Sequence, residues 1–163
     1  MKNLPISPES EKTLLGNRVM LAPLAGISDA AFRVLCRQFG AGPLFTEMVS
    51  AHGVAIGRIR LLEEQLPLLE HEHPLAVQFV GNVPQFMEKC SRLAEDAGAD
   101  SINLNMACPA PKVTKSGKGA SMMNDLPLAK EVIAAAVAAV DVPVTVKMRA
   151  GWDGKSLNAV SFA

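Results

Sequence analysis

LAPLAGISD, residues 21–29, decides between two folds. It joins a short apolar run, RVMLAP (18–23), to a stretch that Ser28 or Asp29 can cap as a helix, with Phe32, Leu35, Cys36 and Phe39 at helical spacing before Gly40. That strand–helix unit repeats along the chain. PLFTEMVS (43–50) reads as a second strand, followed by a helix within about 53–65 and a polar return, QLPLLEHEHP. LAVQFVG (75–81) reads as a third, followed by a helix started by Pro84, faced by Phe86, Cys90, Leu93 and Ala97, and stopped at Gly98. SINLN (101–105) is the fourth strand, and after a long loop Asp125 can cap LPLAKEVIAAAVAAV, whose Leu126, Ala129, Ile133, Val137 and Val140 share a face. PVTVKMR (143–149) is the fifth, and SLNAVSFA opens another helix.

Strands separated by helices form a parallel sheet covered on both faces, either doubly wound or closed as a barrel. A doubly wound dinucleotide fold places a G-x-G-x-x-G turn after its first strand, and LAPLAGISD has none. Polar residues instead recur at nearly every strand end, where a β/α barrel builds its site. The expected fold is therefore α/β, a (β/α)8 TIM barrel. Five strands in 163 residues fall short of the eight strands and about 250 residues such a barrel needs, so the sequence is expected to be the amino-terminal portion of a longer protein.

With 49% hydrophobic and 20% charged residues the chain has a globular balance. Sixteen basic and sixteen acidic side chains cancel, so any attraction to a polyanion must be local. MKNLPISPESEK lacks the basic-then-apolar pattern of a secretory signal, and no apolar run reaches the roughly 18 residues of a membrane span. The expectation is a cytoplasmic protein without membrane contact. Three cysteines without Cys-x-x-Cys spacing argue against a disulfide framework or structural zinc. His52, His71 and His73 lack partners at ligand spacing, so no metal is expected.

The residues that carry chemistry cluster after the fourth strand, in NLNMACPAPKVTKSGKGAS (103–121). Cys108 lies between Ala107 and Pro109 where the strand ends, a site position; Cys36 and Cys90 lie on apolar helix faces and read as packing. Lys112, Lys115 and Lys118 recur every third residue beside Gly117 and Gly119, a local cationic patch that fits either phosphate contact or an ordinary solvated loop.

VMLAPLAGISDAAFR, FTEMVSAHGV, VQFVG, INLNMACPAPKVTKSGKGASMMND and PVTVKMRAGWD, in that order across about residues 15–155, resemble the tRNA-dihydrouridine synthase family, most closely its bacterial B type. The resemblance implies an FMN-binding barrel followed by a helical tRNA-binding domain, and reduction of tRNA uridines to 5,6-dihydrouridine with NADPH as reductant. Cys108 matches the N-x-x-C-P cysteine, the implied general acid that protonates C5 after hydride reaches C6. Pro23, Leu24 and Ala25 match the turn lying against the flavin, Gln78 the glutamine bonded to the isoalloxazine, and Lys147 the lysine at its N1/O2 edge, where a cation stabilises reduced, anionic flavin. Asn105 is placed to hold the uracil edge or to orient the cysteine loop, Arg149 to reach substrate or phosphate, and Lys112, Lys115 and Lys118 to meet tRNA phosphates. Ala107 stands where the family commonly has glycine, and Lys118 falls in a part of the loop otherwise rich in glycine and alanine. The resemblance also implies that the FMN phosphate site and the helical domain lie beyond this sequence, so the chain alone is expected to be impaired. The competing readings are an FMN barrel acting on a free metabolite, of the dihydroorotate-dehydrogenase kind, and a non-catalytic half-barrel.

Overall fold

LAVQFV is buried at every position, as a strand covered on both faces must be, and it forms the centre of the sheet as β3, Leu75–Val80. The computed structural model describes residues 19–65 and 70–163. In chain order these form α1 (Ala30–Gln38), β1 (Leu44–Phe45), β2 (Val49–Ser50), α2 (Ala51–Ala55), α3 (Arg60–Glu63), β3, α4 (Pro84–Asp96), β4 (Ser101–Met106), α5 (Pro111–Thr114), α6 (Leu126–Ala139), β5 (Val144–Met148) and α7 (Ala159–Phe162), with short 3-10 turns at Glu70–Glu72 and Gly119–Asn124. All strand pairs are parallel: β1 and β2 both pair with β3, β3 with β4, and β4 with β5. The result is an open, incomplete β/α barrel wall. Its core joins Val77, Phe79, Ile102 and Leu104 of the sheet to Met87, Cys90, Val132 and Ala136 of the covering helices.

Several expectations from the sequence are corrected. Among the described residues of 18–23, 19–23 make no strand ladder; they run beside 42–43 through Gly42 N to Val19 O at 2.6 Å and Leu21 N to Pro43 O at 3.3 Å, and Arg18 lies outside the described residues. The expected strand 43–50 is two short strands, because the Thr46 hydroxyl takes the Gln78 amide of β3 at 3.0 Å out of the backbone ladder and itself donates to the Glu47 carbonyl at 2.8 Å. The expected helix within 53–65 starts at Ala51, capped by Ser50, and breaks at Gly57, whose φ of 100° a helix cannot contain. The expected return 65–74 lies partly outside the described residues.

The helix faces are also rotated. On α4 the fully buried residues are Met87, Cys90, Ser91 and Ala94; of the expected face Cys90 is buried and Leu93 packs against the core, while Ala97 is exposed. On α6 Ala129, Val132, Ala136 and Ala139 are buried, and Leu126 and Val137 face outward. Small side chains let α4 and α6 approach each other and the sheet closely, so the face with the least bulk turns inward. On α1 the buried residue is Arg33, and Leu35 and Phe39 are exposed. Arg33 goes in because its guanidinium is fully engaged, with Glu72 at 2.7 Å, the Ser28 carbonyl at 2.8 Å and the Gln65 carbonyl at 3.2 Å.

Candidate active site

Parallel in-register pairing puts polar side chains of three strands on one face. Gln78 of β3 pairs with Asn103 of β4, Asn103 with Thr145 of β5, and Asn105 with Lys147. Asn103 and Asn105 are two apart, as are Thr145 and Lys147, so period-two alternation stacks them in two rows, the second nearer the strands' carboxyl ends. Gln78 and Asn103 are buried and hydrogen-bonded to each other at 2.6 Å, and Asn105 Nδ2 donates to Gln78 Oε1 at 2.9 Å. Buried amides satisfied by other amides hold their orientation.

At that end lies a cavity of about 680 Å³, lined by Pro23, Ala25, Gln78, Asn105, Cys108, Lys147 and Arg149 among others. A volume of this size falls within the range of roughly 300–1,000 Å³ typical of small-molecule sites. Seven of the eleven positions singled out in the sequence therefore meet at one cavity. Leu24 and the three lysines do not line it. Leu24 instead closes its own turn, its carbonyl accepting from the Ile27 and Ser28 amides at 3.0 and 2.9 Å. Lys112 and Lys115 stand exposed on and just after α5, with Lys118 half-buried beyond Gly117.

The Cys108 loop is held from two sides. Asn105 Oδ1 accepts from the Ala107 and Cys108 amides at 3.1 and 2.9 Å, so this side chain orients the cysteine loop. The Ala120 amide donates to the Cys108 carbonyl at 3.0 Å, and Arg149 Nη1 reaches the Ala107 carbonyl at 3.5 Å. Ala107 is accommodated without a left-handed backbone, since every positive-φ residue described is a glycine. Gly119 has no such freedom: at φ +61° a Cβ would come within 2.6 Å of the Cys108 carbonyl oxygen and 2.8 Å of Val113 Cγ1. Gly119→Ala is expected to destabilise the loop by about 1–3 kcal/mol, read as faster amide exchange over 108–120; unchanged exchange would contradict this packing.

The turn at 23–28 is fastened just as firmly. The Glu47 carboxylate accepts from the Gly26 amide, Glu47 N donates to Gln65 Oε1 at 3.2 Å, and Arg33 holds the Ser28 carbonyl from below. In the sequence Glu47 and Met48 stand out only as strand-end residues without a role, and Arg33 was not singled out. Nor was Trp152, which lines the cavity with Met48. Trp152, the chain's single tryptophan, sits in a loop built on Asp153, whose carboxylate accepts from the Ser156 hydroxyl at 2.7 Å and the Lys155 amide at 2.9 Å. Those hydrogen bonds, the Ser156 hydroxyl first, hold the Asp153 carboxyl below its ordinary pKa. The signal for this loop was GWDG directly after a strand end.

The thiols differ in setting. Cys90 is buried and burial pushes its pKa up to about 11, whereas Cys108 is half-buried at the cavity. At pH 8 iodoacetamide is expected to modify Cys108 at least tenfold faster than Cys90, because the thiolate is the reacting form; equal rates, read by peptide mass, would contradict the assigned burial. Among the described residues no cluster of three metal-ligating side chains occurs, and no helix is long and apolar enough to cross a membrane.

Fold and site together define the class: part of a β/α barrel with its ligand cavity at the carboxyl ends of the strands. The solved structure of histamine dehydrogenase from Rhizobium sp. 4-9 shares this fold, with a TM-score of 0.56 at 16% identity over 81% of this chain and 31% of that one. The sequence is narrower in its affinities, for the family model "Dihydrouridine synthase (Dus)" matches residues 20–163, and the chain belongs to that family. It is 41% identical over 150 residues to "Probable tRNA-dihydrouridine synthase 1" of Synechocystis sp., covering 91% of this chain and 42% of that protein. It is 39% identical over 153 residues to "tRNA-dihydrouridine synthase B" of Pseudomonas aeruginosa, covering 91% and 45%. The chain thus spans less than half the length of these curated relatives.

Proposed function

We propose that this chain forms the amino-terminal part of an FMN-binding catalytic barrel that reduces uridine in tRNA to 5,6-dihydrouridine. The observation that carries the reading is that Cys108 lines the same cavity as Gln78 and Lys147, so a proton donor and a cofactor-binding pair converge on one space. The donor set suits a flavin. Gln78 keeps one N–H beyond its bond to Asn103, Lys147 supplies a cation, and Pro23 and Ala25 offer an apolar bed against a planar ring. Bound there, FMN supplies the hydride taken up at C6 of uracil, and NADPH restores it for the next turnover.

The protein's own work is binding, orientation and proton delivery. Lys147, exposed and lining the cavity, would place its cation against the negative charge of reduced flavin. Cys108 gives the proton from Sγ to C5 as the C5–C6 double bond is lost, and its thiolate is reprotonated from solvent. Asn105 fixes the loop that carries this thiol, and its second N–H remains for the substrate. Arg149, the exposed Lys112 and Lys115, and the half-buried Lys118 meet RNA phosphates, giving a neutral chain a local, salt-sensitive attraction.

Titration with FMN tests the cofactor step in the protein as its own gene encodes it. Saturable quenching of flavin fluorescence is expected, with quenching of Trp152 emission that Trp152→Leu removes. Absence of saturable binding would overturn the flavin reading, and binding without any Trp152 response would place FMN outside this cavity.

A further inference from the structure

A single directed hydrogen-bond chain runs from β5 to the Cys108 loop. Backbone amides only donate, so the bonds from Ala107 N and Cys108 N make Asn105 Oδ1 an acceptor and leave Asn105 Nδ2 to donate to Gln78 Oε1. Gln78 Nε2 then donates to Asn103 Oδ1 at 2.6 Å, and Asn103 Nδ2 to Thr145 Oγ1 at 2.8 Å. The Thr145 hydroxyl ends the chain on the Ile102 carbonyl at 3.3 Å. A carbonyl only accepts, so the far end demands the same direction independently. Turning Asn105 or Gln78 over would set N–H against N–H and oxygen against oxygen, and turning Asn103 over would set its N–H against that of Gln78.

We infer that Asn103 and Thr145 are positioning residues that lock the Gln78 carboxamide and, through Asn105, the Cys108 loop into one mutually fixed arrangement. The assignment of consequences for catalysis rests on the flavin and uridine reading above. Asn103 and Thr145 sit one row below Asn105 and Lys147 and line a neighbouring cavity of about 370 Å³ with Pro23, Phe45 and Lys147, not the one at the strand ends, so on the Cys108 site they act through other residues. Their effect is on what the site offers. Asn105 Oδ1 is saturated by two backbone donors, so towards a ligand Asn105 presents only N–H. Gln78 cannot rotate to exchange its remaining N–H and lone pair. The pair therefore selects a ligand edge bearing acceptors opposite Asn105, as a pyrimidine carbonyl does, and holds the proton donor in register with it.

The test compares Asn103→Leu, Asn103→Asp and the near-isosteric Thr145→Val in the protein as its own gene encodes it. The first readout needs no flavin: the rate at which iodoacetamide modifies Cys108. Loss of the chain frees the loop, and the rate is expected to rise about fivefold in Thr145→Val and about tenfold in Asn103→Leu. Asn103→Asp keeps the acceptor for Gln78 Nε2 but loses the donor to Thr145, and its rate is expected to rise about as far as that of Thr145→Val. If Asn103→Leu does not fold, Thr145→Val carries the test by itself. An unchanged Cys108 rate in Thr145→Val overturns the inference whether or not the protein binds flavin. In wild-type protein that binds FMN and forms dihydrouridine, Thr145→Val should further lower kcat several-fold at saturating FMN, with KM for tRNA within twofold. A fall in stability alone, with kcat and Cys108 reactivity untouched, would make both residues merely structural. A wild type without flavin binding, but with the expected Cys108 rates, would sink the functional reading and leave the positioning role standing.

Discussion

Cys108→Ala is expected to lower dihydrouridine formation by about 10²–10⁴-fold while leaving FMN affinity within about twofold. The direction follows from what the side chain touches. Cys108 lines the cavity, and the bonds that hold its loop are made not by Sγ but by its backbone amide and carbonyl, to Asn105 and Ala120. Removing the thiol therefore takes away a proton donor and leaves the loop in place. Single-turnover assays with pre-reduced enzyme and unmodified tRNA isolate this step from re-reduction by NADPH. A variant retaining more than about a tenth of the wild-type rate would show that another group delivers the proton.

Arg33→Ala should be strongly destabilising, by about 3–5 kcal/mol. Arg33 and Glu72 are 1% and 0% exposed and 2.7 Å apart, and the same guanidinium satisfies the Ser28 and Gln65 carbonyls. Truncation strips a buried carboxylate of its cation and two carbonyls of a donor at once, and charge without compensation in a low-dielectric interior is the costly outcome. Replacing both partners together, as Arg33→Met with Glu72→Leu, should recover much of the loss in the ion pair while leaving the two carbonyls short of a donor. Urea unfolding midpoints decide the matter; a loss below about 1 kcal/mol would show the pair to be no more than a surface contact in effect. Because Ser28 closes the turn that contains Pro23 and Ala25, Arg33→Ala should also weaken FMN binding even where the protein remains folded.

The barrel was legible because β3 is an almost continuous apolar run, because strands alternate with helices, and because chemistry-bearing residues fall at strand ends. Element boundaries failed where a side chain competes with the backbone, as Thr46 does between β1 and β2. Helix faces failed in part because hydrophobic spacing ranks bulk, whereas close helix approach on α4 and α6 selects small side chains. Arg33 was invisible for a different reason: nothing local marks it as buried, and its partner lies 39 residues away. In the site, Cys108, Gln78 and Lys147 were recognisable individually, but Asn103 and Thr145 were passed over. The signal was present in S-I-N-L-N and V-T-V-K, where polar residues recur at period two within otherwise apolar strands. Such a pattern calls for a buried polar row, and only the register between strands shows which amides meet.

The most direct test is the dihydrouridine content of tRNA in a strain lacking this gene and the other synthases, complemented with wild-type protein or with Cys108→Ala. Dihydrouridine restored at defined positions by the wild type, and absent or nearly so with Cys108→Ala, is the result predicted here. The same dihydrouridine content with and without the wild-type gene would contradict the assignment of tRNA uridine as the substrate.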